Sequence, residues 1–387
     1  MNFDEIIDRR NTHCMKWDVM QHLYGVSPET GLAMWVADMD FRPPPAVTAA
    51  LQTEIEHGVH GYFGDESAYQ AAICQWMSKR HQWAVNPEWI KTVHGLVAGT
   101  ALCIQAFTQP NDGIILFTPV YHAFARTIKA NQREVIESPL QIDADGMYRM
   151  DLAALEQQLK GHETMVILCS PHNPGGRVWS VAELQALAAF CLKHDLLLVS
   201  DEIHHDLVFK PHQHTVMPLA APEIRERLVM LTATTKTFNI AGGLTGNAII
   251  ENVELRNHFT QAMMAAGSSP NRFGTLISTA AYLQGEDWLE GLLDYLDGNR
   301  RLFDAGIQQI PNLRSMPLEA TYLAWVNFAE TGLSPQQVID KVQKEAGIAT
   351  SYGSTFGKGG ETYLRFNLAT PRSRIEQALE RLQAVFN

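Results

Sequence analysis

An amine placed at the end of a buried strand can act as a nucleophile, and Lys236 is the one residue of this chain that stands that way. Residues 229–243 read V-M-L-T-A-T-T-K-T-F-N-I-A-G-G, an apolar run, then small hydroxyl residues and a lysine. In an open α/β sheet ligands bind beyond the carboxyl ends of the strands, so a lysine leaving a strand points into the crevice. Its amine titrates near ~10.4 in water, loses that proton readily on desolvation, and then attacks carbonyl groups. Three further polar residues follow apolar runs. Tyr121 comes after 113–117, Asn173 after 165–169 and Asp201 after 196–199, while Arg365 sits within the alternating segment 363–368. Each has an ordinary alternative: a solvated lysine, a packed tyrosine with a polar tip, a turn asparagine, a capping aspartate, an arginine on an edge strand. Their common placement at strand ends is what sets them apart.

The elements that must position them alternate strand, helix, strand. Residues 46–57 carry apolar positions at helical spacing after a triple proline, and Gly58 and Gly61 punctuate the loop that follows. From Val93 the text V-H-G-L-V-A-G-T-A-L-C-I-Q-A-F opens a helix at a glycine turn, where the free amides of Leu96 and Val97 suit an anion. Gly95 and Gly99 serve tight packing equally well. Ser180 and Glu183 are spaced as a capping box ahead of Leu184, Leu187, Ala188 and Cys191. This alternation predicts an α/β fold, a mostly parallel central sheet with helices on both faces, and the chain's length leaves room for a smaller α/β C-terminal domain.

Composition narrows the function. The chain has 387 residues, 46% hydrophobic and 19% charged, with a net charge of -12. That size allows two domains, and the acidic balance with no basic cluster argues against nucleic acid as a partner. The charged start M-N-F-D-E-I-I-D-R-R lacks an apolar leader core, and no run is long enough to span a membrane. Five separated cysteines without C-x-x-C fit reduced thiols in a cytoplasmic protein.

One cofactor uses all of these residue types, pyridoxal 5'-phosphate (PLP). A buried carboxylate, Asp201, would keep the pyridine nitrogen protonated. The amide of Asn173 would donate to the 3-oxygen, and Tyr121 would stack on the ring. The amides of Leu96 and Val97 and the hydroxyl of Thr235 would take the phosphate. Arg365 would bind an amino-acid carboxylate.

With these residues in hand the chain resembles the fold-type I PLP enzymes, the aspartate aminotransferase superfamily. The resemblance runs through S-P-H-N-P-G-G at 170–176, S-D-E-I at 200–203, T-K-T-F-N at 235–239 and Arg365. More narrowly, W-V-A-D-M-D-F at 35–41 and D-E-I-H at 201–204 resemble the cystathionine β-lyase and C-S lyase branch of MalY/PatB type. The resemblance implies that Lys236 forms the Schiff base with PLP and that Gly95, Leu96, Val97, Thr235, Tyr121, Asn173, Asp201 and His204 contact the cofactor. It implies that Arg365, Trp35, Ala37, Tyr121 and Asn173 meet the substrate. It also implies a homodimer in which Tyr62 of the partner subunit reaches the phosphate. The large PLP-binding domain would span 46–286, and both chain ends, 1–45 and 287–387, would form the small one.

Two positions depart from the aminotransferase pattern. His204 replaces the tyrosine usual three residues after the ring-nitrogen aspartate, as is typical of the lyase branch. Leu244 replaces the basic phosphate ligand usual eight residues after the lysine, so the phosphate would rely on amides, Thr235 and Tyr62. The implied reaction is α,β-elimination from L-cystathionine or a related L-cysteine S-conjugate, the alternative being transamination between an amino acid and a 2-oxo acid. Glu202, His204, His205 and Asp206 lack the H-E-x-x-H spacing of a metal hydrolase, so no metal is expected. C-S lyase relatives can also contact a transcription regulator, although no segment of this chain marks such a surface.

Overall fold

Seven runs form the central sheet. In the computed structural model, which describes residues 1–387, they are β1 (Ile90–Val93), β2 (Gly113–Thr118), β3 (Glu134–Pro139), β4 (Glu163–Cys169), β5 (Leu197–Asp201), β6 (Leu228–Thr232) and β7 (Gly246–Ile249). They lie in the order β1-β7-β6-β5-β4-β2-β3. The strands from β6 through β3 pair in parallel, and β7 runs antiparallel between β6 and β1. The expected mostly parallel sheet is therefore present, with one reversed strand.

Near-continuous apolar runs let the strands bury both faces, with successive side chains on opposite sides. Ile115, Phe117, Val166, Leu168 and Leu198 enter one cluster. Ile114, Leu116, Met165, Ile167 and Val199 enter another. Four helices matter here: α1 (Pro45–His57), α2 (Ser67–His81), α3 (Leu96–Phe107) and α4 (Val181–Lys193). Leu102, Cys103 and Ile104 of α3 join the second cluster, whereas Leu184, Leu187 and Cys191 of α4 join the first. Each buried Leu or Ile stabilises the fold by roughly 1.5–3 kcal/mol, so the two layers hold the strand ends in register. The capping box of α4 forms as the spacing predicts, with Ser180 Oγ accepting from Glu183 N and Glu183 Oε2 accepting from Ser180 N at 3.0 Å.

The polar residues leave the strands at slightly different points than the apolar runs suggest. β5 continues to Asp201 itself. β6 stops at Thr232, and Lys236 stands in one helical turn, Thr234–Thr237, beyond it.

A second, antiparallel sheet comprises β8 (Arg314–Ser315), β9 (Leu323–Asn327), β10 (Ser351–Tyr352) and β11 (Tyr363–Asn367), in the order β8-β9-β11-β10. Arg365 thus lies on an interior strand and is buried, not on an exposed edge. Leu32–Ala33 pairs in parallel with Ile348–Ala349, which brings the start of the chain against its end.

The segment at 35–41 is irregular and is held by charge. Asp40, buried, accepts from Lys16 Nζ at 3.0 Å, Arg9 at 2.9 Å and Trp17 Nε1 at 3.1 Å, and Arg374 lies 3.1 Å away. Asn239 pins the same segment from the lysine loop, accepting from Met39 N and donating to Met39 O and Phe41 O. Asp40→Asn leaves the fully buried Lys16 with only the more distant Asp38 carboxylate at 3.7 Å, and breaking a buried pair costs about 3–5 kcal/mol. Urea unfolding of the variant is expected to show that loss; an unchanged midpoint would remove this network from the account of how the segment is held.

Candidate active site

Trp35, Ala37, Gly95, Leu96, Val97, Tyr121, Asn173, Asp201, His204, Thr235, Lys236 and Arg365 all line one cavity of about 510 Å³. Tyr62 does not line it in this chain: its side chain is fully exposed on the loop between α1 and α2. The cavity opens at the carboxyl ends of β5 and β6, where the strand–helix alternation puts a ligand site.

Lys236 Nζ donates to the Ala37 carbonyl oxygen, which also accepts from Tyr322 Oη at 2.9 Å. Burial lowers the lysine to about 8, with Arg365 acting in the same direction and Asp38 and Asp201 opposing. Asp201 is 5% exposed, and its Oδ1 accepts from Ile203 N at 3.1 Å. No arginine or lysine forms a salt bridge with it. Burial raises it to about 7, Glu202 adds to the rise, and Lys236 and His205 moderate it. Two groups lining one cavity are thus pulled toward neutrality from opposite sides, a pattern that acid–base sites share.

A pH prediction follows for the lysine. Only the neutral amine attacks an aldehyde, and its fraction rises as pH passes through the folded-state value, here about 8. The rate at which apoprotein condenses with PLP is expected to climb with pH and level off above that value. A half-rise near the ordinary ~10.4 of a solvated lysine would show that the site does not desolvate the amine.

Arg365 is buried with no carboxylate partner in the protein. Its Nη1 donates to Asn173 Oδ1 at 2.9 Å, its Nη2 donates to Trp35 O at 2.9 Å and Ser351 Oγ at 3.2 Å, and its guanidinium lies 4.9 Å from the Phe356 ring centre. Its Nε has no partner. Burial lowers it to about 10, and a desolvated guanidinium that lacks an anion favours an incoming carboxylate. Asn173, expected as a cofactor donor, also orients this arginine through its oxygen.

His204 is buried with Nδ1 unpartnered, and burial holds its pKa well below the usual imidazole range, so the ring is neutral. Its ring centre lies 6.1 Å from that of Tyr322. At the far end of the cavity Gly95, φ +78°, caps the N-terminus of α3, leaving the first amides of that twelve-residue helix at the wall. The positive φ explains the glycine; a Cβ there would meet nothing within 4 Å. Leu244 stands on the same wall, 58% exposed. Lys236 and Arg365 are the only lysine and arginine among the lining residues.

Several functional positions escape the sequence reading. Ser351 supports Arg365, and Tyr322 shares the Ala37 carbonyl with Lys236. Tyr24 also lines the cavity, its ring 5.0 Å from Trp35 and 5.4 Å from Tyr352. His122, beside Tyr121, lines the cavity as well, its ring centre 5.0 Å from that of Tyr121. Each is one polar residue in an apolar or loop context, and only the pairing of distant segments gives it a partner.

The fold is that of the fold-type I PLP enzymes, and the chain belongs to the aminotransferase class I and II family, whose family model matches residues 32–382. Within it the chain is similar to cystathionine beta-lyase PatB of Bacillus subtilis strain 168, 36% identical with 100% of both chains covered. It is also similar to protein MalY of Escherichia coli K12, 31% identical over 98% of this chain and 97% of that one. Among solved structures it is similar to cystalysin from Treponema denticola, which contains a pyridoxal 5'-phosphate cofactor: TM-score 0.95, 35% identity, 99% and 98% covered.

Proposed function

We propose that the protein is a PLP-dependent carbon–sulfur lyase that eliminates a thiol from L-cystathionine or a related L-cysteine S-conjugate, giving homocysteine or the corresponding thiol and, after water hydrolyses the released remainder, pyruvate and ammonia. The observation that carries this reading is a buried arginine with no anion on the same wall as a lysine lowered to about 8 and a carboxylate raised to about 7. The residues fit the cofactor. Asp201 has an acceptor oxygen free of any protein cation, and the α3 amides face the same cavity. Full-length similarity to a cystathionine β-lyase favours elimination over transamination.

Bound PLP supplies an aldehyde that condenses with amines and a ring that accepts the electron pair left when an amino acid's Cα loses its proton. Asp201 holds a proton at the ring nitrogen, because a cation beside a buried carboxylate stabilises both charges. Arg365 binds the substrate carboxylate and so orients the Cα–H bond toward Lys236. Lys236 Nζ removes that proton, a role worth typically ~10² to 10⁴ in rate. Loss of the thiolate from Cβ then uses the electron pair that proton removal leaves. The neutral ring of His204 lines the cavity without adding a second positive charge near Lys236.

The same reading assigns the cofactor contacts to Gly95, Leu96, Val97, Thr235, Asn173, Tyr121 and His204, and the substrate contacts to Trp35, Ala37, Tyr121 and Asn173 with Arg365. It includes a homodimer in which Tyr62 of the partner subunit reaches the phosphate. Support comes from three exposed residues of this chain: Tyr62, fully exposed, Val59 on the same loop at 67%, and Leu244. The domain division at 46–286 with 1–45 and 287–387, and a cytoplasmic location, belong to this reading; five free cysteines and the lack of any helix able to cross a membrane are compatible with it.

Steady-state assay with cystathionine tests the reaction. Stoichiometric thiol and pyruvate, without any added 2-oxo acid, are expected. Turnover that requires a 2-oxo acid and releases no thiol would make the protein an aminotransferase.

A further inference from the structure

Behind the cavity wall, three histidines, one of them more than a hundred residues from the other two, meet two carboxylates in a buried cluster that the proposed reaction does not use. His81 ends α2, His205 and Asp206 follow β5, and His214 lies eight residues further on. The ring centres of His81 and His205 are 4.3 Å apart, and that of His214 is 6.3 and 6.4 Å from them. His81 Nε2 lies 2.8 Å from Asp206 Oδ1. His205 Nε2 lies 3.2 Å from Asp206 Oδ2 but off the axis of a hydrogen bond.

His205 is the anomaly. Its ring is 2% exposed, yet neither Nδ1 nor Nε2 has a hydrogen-bond partner, and His214 Nδ1 is also unpartnered. A buried polar atom left unpaired costs about 1–3 kcal/mol, so His205, with Nε2 set off-axis against Asp206 and Nδ1 unpartnered, calls for a further partner. Donor atoms of His81, His205 and Asp206 all lie within 4.8 Å of one another. Two atoms that approach closely without pointing at each other are placed to share a third partner.

We propose that His81, His205 and Asp206 bind a divalent transition cation of the zinc class, with His214 packed beside the three. Two imidazoles and a carboxylate are a borderline donor set that zinc accepts in tetrahedral geometry, whereas calcium and magnesium want oxygen ligands. The surroundings match an outer shell. His214 Nε2 lies 2.7 Å from Glu202 Oε2, the carboxylate–imidazole pairing that orients a metal-binding ring and leaves its other nitrogen free. Glu202 is itself fixed by Ser200 Oγ at 2.9 Å and Met217 N at 3.0 Å. Trp76 Nε1 at 3.1 Å and Thr237 Oγ1 at 2.8 Å orient Asp206. Arg80 brings a positive charge 3.2 Å from Asp206 Oδ1, and Glu290 at 2.7 Å offsets it. The role is structural: the cation would tie the end of α2 to the loop after β5, directly behind Asp201 and beside Thr237 of the lysine turn.

The test uses the PLP-loaded full chain expressed with added zinc, exhaustively dialysed against metal-free buffer, and analysed by inductively coupled plasma mass spectrometry. About one zinc per chain is expected, falling to background in His205→Asn, which keeps a short polar side chain but has no ring nitrogen to complete the site. Stripping the wild type with a chelator is expected to lower Tm on the order of 5 °C, restored by zinc alone, while His205→Asn responds to neither treatment. Should the variant fail to fold, the strip-and-restore cycle on the wild type decides alone. Less than a tenth of a zinc per chain, with a Tm indifferent to chelator and zinc, would overturn the proposal and leave the cluster a hydrogen-bonded packing feature.

Discussion

Lys236→Ala is expected to lower kcat/KM for pyruvate release from cystathionine by about 10⁴-fold or more, since it removes both the amine that condenses with the cofactor and the base that takes the Cα proton. The geometry makes the loss specific. No other lysine lines the cavity, and burial weakens His204 as a base by holding its pKa well below the usual imidazole range. Folding should suffer little, because the substitution removes a desolvated amine whose only recorded hydrogen bond goes to the Ala37 carbonyl, which Tyr322 Oη still serves. Kinetics alongside circular dichroism check both halves. Activity within tenfold of the wild type would remove Lys236 from the chemistry.

The second large effect is expected at Arg365. Truncation to Met deletes the only guanidinium on the cavity wall, and losing a buried charge partner costs about 2–5 kcal/mol in binding, so kcat/KM falls by roughly 30-fold to several thousand-fold. Most of that loss is expected in KM, because the carboxylate is held equally before and during proton removal. Stability moves the other way or not at all. The wild-type guanidinium is desolvated with no counter-ion and with Nε unpartnered, so its removal relieves a cost that offsets the hydrogen bonds lost at Asn173, Trp35 and Ser351. Unchanged KM for an amino-acid substrate, or a variant that no longer folds, would show that this arginine serves the scaffold.

Lys236, Asp201, Asn173 and Tyr121 were legible because a parallel sheet gives strand ends a shared address, and each follows an apolar run. The helix opening at Gly95 was legible for a similar local reason, since a glycine before a small-residue helix leaves free amides in a known direction. Arg365 was legible as a residue type but not in its setting. Alternation in 363–368 does not tell an edge strand from an interior one, and only the pairing of β11 with both β9 and β10 buries it. Ser351, Tyr322 and Tyr24 carry no local signal, because each acquires its role from a segment over a hundred residues away or from a loop that folds back. The histidine cluster shows the same limit. His205 and Asp206 are visible as neighbours, but His81 joins them across more than a hundred residues, through the packing of α2 that no periodicity announces.

The most direct test of the central claim is covalent. Purified PLP-loaded protein is reduced with borohydride, digested and analysed by mass spectrometry for a pyridoxyl group on lysine. The account predicts one modified peptide, the one that carries Lys236, with the visible absorbance bleached in step with the labelling. A pyridoxyl group on any other lysine, or a protein that takes up the cofactor without labelling at Lys236, would contradict it.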